Sequence, residues 1–451
     1  MSGIAELLVN LGYEVSGSDL RPSATTDRLG SLGIRVAIGH AADQVAGSDV
    51  VVTSSAVGSD NAEVTEARQR QIPVIPRAEM LSELMRLRFS IAVAGAHGKT
   101  STTSMIACVL EHAGLDPTAV IGGRVAAFGS NARLGQSQYM VAEADESDRS
   151  FLRLWPAIAV ITNIDREHLE NYRGFDHLVE AFLQFANQVP FYGAVVCCHD
   201  DPWIRALVPK MNRRVIGYSL GGSADVMGSD DELHGDGSRC LVRRRHALGI
   251  DVLGHVEIRV PGRHNLLNAL AAVAVALELG VAFERIAGGL AAFQGVERRL
   301  ESHGTVDGIS IVDDYAHHPT EIAAVLEAVQ ARHPTRILVV FQPHRYSRTA
   351  SLLPEFGRVL AQADVVLVTA IYGAGEEPID GVDAEAVAAS IRAAGSASVQ
   401  VVESLDQLGP IVAAQSRPGD VVLTLGAGSI AGAASAIGRA IADVRSRPWT
   451  S

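Results

Sequence analysis

The run Ile91-Ala-Val-Ala-Gly95-Ala96-His97-Gly98-Lys99-Thr100-Ser101-Thr102-Thr103 constrains this chain more than any other. A short apolar stretch ends at a glycine, and Gly-Lys-Thr leads into the apolar continuation Met105–Leu110. That order predicts a buried strand, a phosphate-cradling loop and a helix N-terminus, where free backbone N–H groups and the helix dipole favour an anion. Gly95, Ala96, His97, Gly98, Lys99, Thr100 and Ser101 are therefore candidate nucleotide contacts. Lys99 would reach terminal phosphate oxygens, and the Thr100 hydroxyl would hold Mg²⁺. The spacing departs from the general pattern, because only Ala96 and His97 separate Gly95 from Gly98 where four residues are usual. The only lysines are Lys99 and Lys210, with arginine serving everywhere else. A lysine kept in such a chain marks a position that needs a compact ammonium, which arginine cannot replace.

At 451 residues the chain has room for two to three domains of about 150 residues each. A net charge of −13 argues against a nucleic-acid surface, while leaving room for local arginine clusters that bind small anions. Cys108, Cys197, Cys198 and Cys240 form no Cys-x-x-Cys pair, so neither a disulfide framework nor a zinc site is expected, and a reducing cytoplasm fits. The apolar run Leu270–Leu279 is too short to span a membrane, and the N-terminus lacks the basic flank of a signal peptide.

Three segments follow from the patterning: 1–88, 89–295 and 296–451. All read as α/β. In the first, Ile4, Leu7, Leu8 and Leu11 share a helical face, with Gly12 as C-cap. Tyr13–Ser16 is expected as a strand ending in Gly17-Ser18-Asp19, Gly33–Ile38 and Asp49–Thr53 as further strands, and Ser54-Ser55 follows the last. Asp19 would meet ribose hydroxyls, and Ser54 and Ser55 lie at a strand end where open α/β sheets bind ligands. A nucleotide-binding unit of this type starts with a strand and a glycine-rich turn. This sequence starts inside the first helix, so residues upstream of Met1 are expected.

In the second segment, strands at Tyr139–Ala142 and Ala157–Thr162 each run into a polar loop, Glu143-Ala-Asp145-Glu146-Ser-Asp148 and Asn163-Ile-Asp165-Arg-Glu167-His168. Loops after parallel strands converge on one edge, so Thr100, Glu143 and His168 could share one Mg²⁺. Residues 221–262 read as antiparallel hairpins, and Asn265–Leu279 as a helix. Its opening residues His264, Asn265 and Asn268 suit an adenine edge, although helix capping alone would explain the asparagines. In the third segment, strands at Ile309–Val312, Arg336–Phe341, Asp364–Thr369, Val399–Val402 and Asp420–Leu425 alternate with helices, as in a doubly wound unit. Asp313-Asp314-Tyr315-Ala-His317-His318-Pro319 follows the first of these and Gln342-Pro-His344-Arg345-Tyr-Ser-Arg348 the second. The paired arginines suit a carboxylate or a phosphate.

Together these motifs resemble the Mur ligase family over essentially the whole chain. The anchors are Met1-Ser-Gly-Ile-Ala-Glu6, Gly17-Ser-Asp19, Ser54-Ser-Ala56, Gly95-Ala-His-Gly-Lys-Thr100, Glu143-Ala-Asp-Glu-Ser147 and His168. They continue with Pro261-Gly-x-His-Asn265, Arg298-Arg299, Asp313-Asp-Tyr-x-His-His318, Phe341-Gln-Pro-His-Arg-Tyr346 and Gly426-Ala-Gly428. The shortened phosphate loop is this family's normal form. The resemblance implies a UDP-binding, an ATP-binding and an amino-acid-binding domain, the first and last Rossmann-like and the central one a P-loop fold with added hairpins. It also implies a reaction of peptidoglycan precursor synthesis. The lactyl carboxylate of UDP-N-acetylmuramate takes the γ-phosphate of ATP to form an acyl phosphate, and the amine of L-alanine displaces phosphate. On that pattern Arg345 and Arg348 would hold the alanine carboxylate, His317 would orient or deprotonate the amine, Arg298 would touch ATP phosphates, and Asp19, Ser54 and Ser55 would contact the UDP part. The family's Gly-x-Gly-Gly-x-Gly loop would precede Met1. The competing readings are a ligase recycling a murein tripeptide onto the same nucleotide sugar, a folate polyglutamate ligase, and a non-catalytic nucleotide-sugar-binding remnant.

Overall fold

The computed structural model describes residues 1–54, 56–125, 130–395 and 397–445. They form two compact units, one of Met1–Asp230, Cys240–Val256 and Leu267–Phe293, the other of Asp231–Arg239, Glu257–Leu266 and the remainder from Gln294.

The first unit starts with α1 (Ser2–Asn10), β1 (Ser16–Asp19), α2 (Ala24–Ser31), β2 (Arg35–Ile38), β3 (Val51–Thr53), α3 (Ala62–Gln69), β4 (Val74–Pro76) and α4 (Arg77–Arg86). Ile4 and Leu7 are buried as the helical pattern requires, whereas Leu11 is exposed, because it is the capping residue beyond the last packed turn. Gly12 takes a left-handed φ of 91°, and the Tyr13 N–H returns to the Leu8 carbonyl at 3.0 Å. Leaving that cap uses Tyr13–Val15, so the strand expected at Tyr13–Ser16 begins at Ser16, where pairing with Arg35 starts. The strands form two separate parallel pairs, β1–β2 and β3–β4, not one sheet.

The elements that follow are β5 (Phe89–Ala94), α5 (Lys99–His112), β6 (Thr118–Val125), β7 (Ser130–Arg133), β8 (Tyr139–Glu143), β9 (Ile158–Ile161), α6 (Phe175–Asn187), β10 (Ala194–Cys198), α7 (Pro202–Leu207), β11 (Val215–Leu220), β12 (Val226–His234), β13 (Gly237–His246), β14 (Gly249–Ile258), α8 (Arg263–Glu278) and α9 (Phe283–Ala292), all within the first unit except for residues 231–239 and 257–266 of β12, β13, β14 and α8. Ten strands run in the order β14-β13-β12-β11-β10-β9-β5-β8-β6-β7. β5 lies parallel between β8 and β9, with Val93 opposite Glu143 and Ala94 opposite Ile161. Its residues Ile91–Ala94 are wholly buried, as expected of a parallel strand covered on both faces. The chain order reverses at β5, so the loops after β5, β8 and β9 meet at a crevice. α5 packs on α9 through Gly289, where an added Cβ would come within 2.7 Å of the Val109 Cα.

The second unit holds β15 (Glu301–Val306), β16 (Ile309–Asp314), α10 (Pro319–Gln330), β17 (Arg336–Phe341), α11 (Tyr346–Ser351), α12 (Leu353–Leu360), β18 (Val365–Thr369), α13 (Ala384–Ala394), β19 (Ser398–Val402), α14 (Leu408–Gln415), β20 (Asp420–Leu425) and α15 (Ala433–Arg445). The sheet order is β15-β16-β20-β17-β18-β19, antiparallel only at β15–β16. Alternation divides its side chains cleanly. Val339 and Phe341 join the core under α10, α12 and α13, while Leu338 and Val340 join the core under α14 and α15.

Phe341 is fully buried against Phe356, with ring centroids 5.4 Å apart. Phe341→Ala is expected to cost about 3–5 kcal/mol. It should appear as a lower urea midpoint for the unfolding transition of this unit, and an unchanged midpoint would contradict the assigned core.

Candidate active site

The phosphate loop is shaped by contacts that admit no side chain at its two glycines. Gly95 has φ 139°, and an added Cβ would lie 2.0 Å from Thr162 Oγ1; Gly98 has φ 81°, and there the Cβ would lie 2.7 Å from Asn268 Oδ1. The loop is lashed to the end of β9. Asn163 Oδ1 accepts the His97 N–H at 2.8 Å, and Asn163 Nδ2 and Thr162 Oγ1 donate to the His97 carbonyl at 3.0 and 2.7 Å. The His97 ring is occupied by carboxylates, with Nε2 2.9 Å from Asp165 and Nδ1 3.8 Å from Glu167. His97 thus serves to fasten the loop, through its ring and through both of its backbone groups. α5 opens at Gly98 without a side-chain cap, so the N–H groups of its first turn, including those of Lys99, Thr100 and Ser101, keep their affinity for an anion.

Lys99 is held in four directions. Its ammonium donates to the Gly95 and Ala96 carbonyls at 2.6 and 3.2 Å and to both oxygens of Glu146 at 2.9 and 2.8 Å. Burial works against the charged amine, but the charges of Glu146 and Asp145 outweigh it, so the amine is held above the usual lysine range. Glu143 ends β8, and its Oε1 accepts the Gly122 N–H at 2.6 Å. His168 takes a left-handed φ of 57°, a conformation rarely adopted away from glycine. Thr100, Glu143 and His168 offer a hydroxyl, a carboxylate and an imidazole from the ends of three adjacent strand units, a set compatible with a small divalent cation. Asn268 is buried and its Oδ1 accepts the Thr102 hydroxyl at 3.1 Å, supporting the loop from behind.

At the start of α8, the Asn265 amide donates to the Pro261 carbonyl at 2.8 Å, tying the first turn back to the segment that enters it. Burial, reinforced by Arg299, pushes the neighbouring His264 imidazole down to about 4.

In the second unit the ends of β16, β20 and β17 are in register, with Leu425 opposite both Asp314 and Phe341. Asp313 pairs with Arg298 at 2.8 Å, and Arg298 also donates to the Gly426 carbonyl at 2.6 Å. Asp314 accepts the Leu300 and Ala316 N–H groups, each at 2.7 Å. The Tyr315 ring lies 5.2 Å from the guanidinium carbons of both Arg298 and Arg299. His317 Nδ1 lies 3.0 Å from the Tyr315 carbonyl and 3.2 Å from Glu321, and its ring meets His344 edge-on at 5.6 Å. His344 stacks on Tyr372, and burial together with His317 and both arginines pushes its imidazole down to about 4. Arg345, at φ 69°, reaches Glu376 at 3.4 Å, and Arg348 lies 3.1 Å from His344 Nδ1. His317, Arg345 and Arg348 thus gather at one sheet edge.

In the first region, Asp19 ends β1 and accepts the Arg21 N–H at 3.2 Å; Ser54 follows β3, half-buried; Ser55 lies outside the described residues. Sequence reasoning assigned no role to Glu146, Asp165, Glu167, Glu321 or Glu376. The first three sit in motifs already singled out. Glu376 lies in the Gly373–Glu377 stretch, which nothing in the sequence ties to Arg345.

Comparison with known proteins matches the Mur ligase family, catalytic domain, over residues 1–89, the Mur ligase middle domain over 93–276, and the Mur ligase, glutamate ligase domain over 298–428. The chain is 53% identical over 433 residues to a UDP-N-acetylmuramate–L-alanine ligase of Anaeromyxobacter sp. (strain Fw109-5), covering 96% of this chain and 93% of that one. It is 53% identical to the ligase of the same name from Geobacter sulfurreducens, covering 95% and 93%. The crystal structure of UDP-N-acetylmuramate-alanine ligase from Thermotoga maritima superposes with a TM-score of 0.81 at 28% identity, covering 99% of this chain and 96% of that one.

The depressed His264 value carries a stability consequence. Its native value of about 4 lies below the ordinary value of 6.5, so the unfolded chain binds the extra proton first. The neutral imidazole's contribution is complete above pH 6.5 and drains away as pH falls toward 4. His264→Gln should therefore shrink the loss of unfolding free energy between pH 7 and pH 5 by about 1–2 kcal/mol, as measured by urea unfolding at each pH. An identical pH slope in the two proteins would refute the assignment.

Proposed function

The chain belongs to the Mur ligase family, and on that premise we propose that it joins L-alanine to the lactyl carboxylate of UDP-N-acetylmuramate, an ADP-forming step of peptidoglycan precursor synthesis. One observation carries the reading: a nucleotide loop with its lysine and a strand end with paired arginines occur together in a chain 53% identical, over nearly its whole length, to ligases with this activity in their name. The tripeptide-recycling alternative is not favoured by those relatives. Four free, buried cysteines suit a reducing cytoplasm, where we place the reaction. Among the described residues no helix is long and apolar enough to cross a membrane.

The roles divide along the sequence. The proposed domains are 1–88 for the UDP-sugar, 89–295 for ATP and 296–451 for the amino acid. The Gly95–Ser101 loop cradles the phosphates of ATP, chiefly through the backbone N–H groups at the start of α5, and the Lys99 ammonium offsets charge on the terminal one. Mg²⁺, held by Thr100, Glu143 and His168, would supply further charge neutralisation on the phosphoryl group during its transfer to the lactyl carboxylate. His264, Asn265, Asn268 and Arg298 complete the nucleotide contacts. Arg345 and Arg348 hold the alanine carboxylate so that its amine faces the activated carbonyl, a positioning task. His317, whose Nδ1 is fixed by Tyr315 and Glu321, orients the amine and takes up its proton. Asp19, Ser54 and Ser55 contact the uridine diphosphate part.

Phosphate release from ATP with UDP-N-acetylmuramate should require L-alanine and not respond to a murein tripeptide. Release with the tripeptide alone would overturn the choice of acceptor. Arg348→Ala should raise the KM for alanine about 10- to 100-fold, the loss expected for a charge-assisted hydrogen bond, with a smaller change in the KM for ATP.

A further inference from the structure

Glu146 has no part in the reaction outlined above, yet it is buried and tightly placed beside the loop's lysine. Its side chain is 2% exposed, and both carboxylate oxygens lie within 2.9 Å of the Lys99 ammonium. Its backbone is pinned at the same residue, since its carbonyl accepts the Tyr172 hydroxyl at 2.5 Å and the Arg149 N–H at 3.0 Å. Backbone anchoring and burial together keep the carboxylate beside the lysine while the loop is empty. An ammonium has three protons to donate. Here the Gly95 and Ala96 carbonyls and the two Glu146 oxygens already present four acceptors to them. A phosphate oxygen that reaches Lys99 must take over a hydrogen bond the ammonium now donates to one of these, and the arriving anion meets an ion pair instead of a bare cation.

We propose that Glu146 is a positioning residue for Lys99: a resident counter-ion that fixes where the ammonium stands in the empty loop and surrenders part of it to the terminal phosphate. The arrangement exchanges nucleotide affinity for a defined location of the charge on which phosphoryl transfer depends. Without the counter-ion, the four-carbon stem of lysine leaves the ammonium free to attach to any nearby phosphate oxygen, productive or not. Binding energy spent on the ground state in that way does not accelerate the chemical step. The inference rests on the reading of Gly95–Ser101 as an ATP loop.

The test compares wild type, Glu146→Gln and Glu146→Asp by calorimetric titration with a non-hydrolysable ATP analogue, steady-state turnover and thermal melting. Glu146→Gln removes the competing charge at nearly constant shape. It should bind the analogue about tenfold tighter while kcat falls at least tenfold, a split that loss of folded protein cannot produce. Glu146→Asp keeps the charge but withdraws it by one methylene, so its affinity should stay within about threefold of wild type while kcat falls. If Glu146→Gln fails to fold, Glu146→Asp carries the test. Unchanged or weaker analogue binding by folded Glu146→Gln overturns the proposal, as does wild-type kcat in both variants. Failure of the wild type to bind the analogue overturns the ATP-loop reading itself. Analogue binding without alanine-dependent turnover overturns the proposed reaction and leaves the outcome for Glu146 readable from the affinities.

Discussion

Parallel pairing of β5 with β8 on one side and β9 on the other is the constraint from which the nucleotide site follows. Because Val93 stands opposite Glu143 and Ala94 opposite Ile161, three loops leave the sheet at the same height. The phosphate loop, the acidic loop after Glu143 and the polar loop after Ile161 then have no option but to meet. Their mutual contacts are the scaffold. Asn163 holds both the N–H and the carbonyl of His97, Thr162 leaves no room for a Cβ at Gly95, and Glu146 takes the lysine. The shortened loop, with two residues between its glycines, is held open by the next strand's loop and does not depend on its own length.

The second unit uses the same device with different chemistry. β16, β20 and β17 end in register, and the residues released at that edge are aspartates, histidines and arginines. Where the chain must turn sharply to aim these groups, the backbone leaves its preferred regions. Arg298, Leu300 and Arg345 all have positive φ in the second unit, as does His168 in the first. Conformations of this kind cost on the order of 1–3 kcal/mol each and persist where surrounding contacts over-determine them. At Arg345 those contacts include the Arg345 N–H to the Tyr372 carbonyl at 2.8 Å and Glu376 on the side chain.

Much of this was legible in the sequence because parallel strands are continuous apolar runs, and their C-terminal ends are marked by abrupt polarity. Lys99, Thr100, Glu143, His168, His317 and Arg345 all stand within a few residues of such a change. Two kinds of information were hidden. Register was one: the strand expected at Tyr13–Ser16 starts at Ser16, because the exit from the left-handed cap at Gly12 uses three residues. Pairing across long sequence distances was the other. Glu146 and Lys99 are 47 residues apart, and Glu376 and Arg345 are 31 apart. Nothing local to either member names its partner. His264 and the asparagines at the start of α8 were ambiguous for a physical reason, since the same amide that could read an adenine edge is equally suited to cap a helix, and the amide of Asn265 is turned back to the Pro261 carbonyl.

Several cations of the two strand-end sites share a trait that composition foreshadowed. In a chain of net charge −13, four positive groups that could meet anionic substrates come with acids already attached: Lys99 with Glu146, Arg298 with Asp313, Arg299 with Glu321 and Arg345 with Glu376. Such pairs weaken long-range attraction, so anions are not drawn in merely by charge. They also hold each cation at a defined place before substrate arrives, which lowers the ordering cost on binding. A ligand gains only if it presents its oxygens where the resident acid can be displaced or shared, and an anion of the wrong shape meets a pair that is already satisfied. For an enzyme that must select among phosphates and carboxylates abundant in the same solution, discrimination by geometry outweighs the affinity that bare cations would provide.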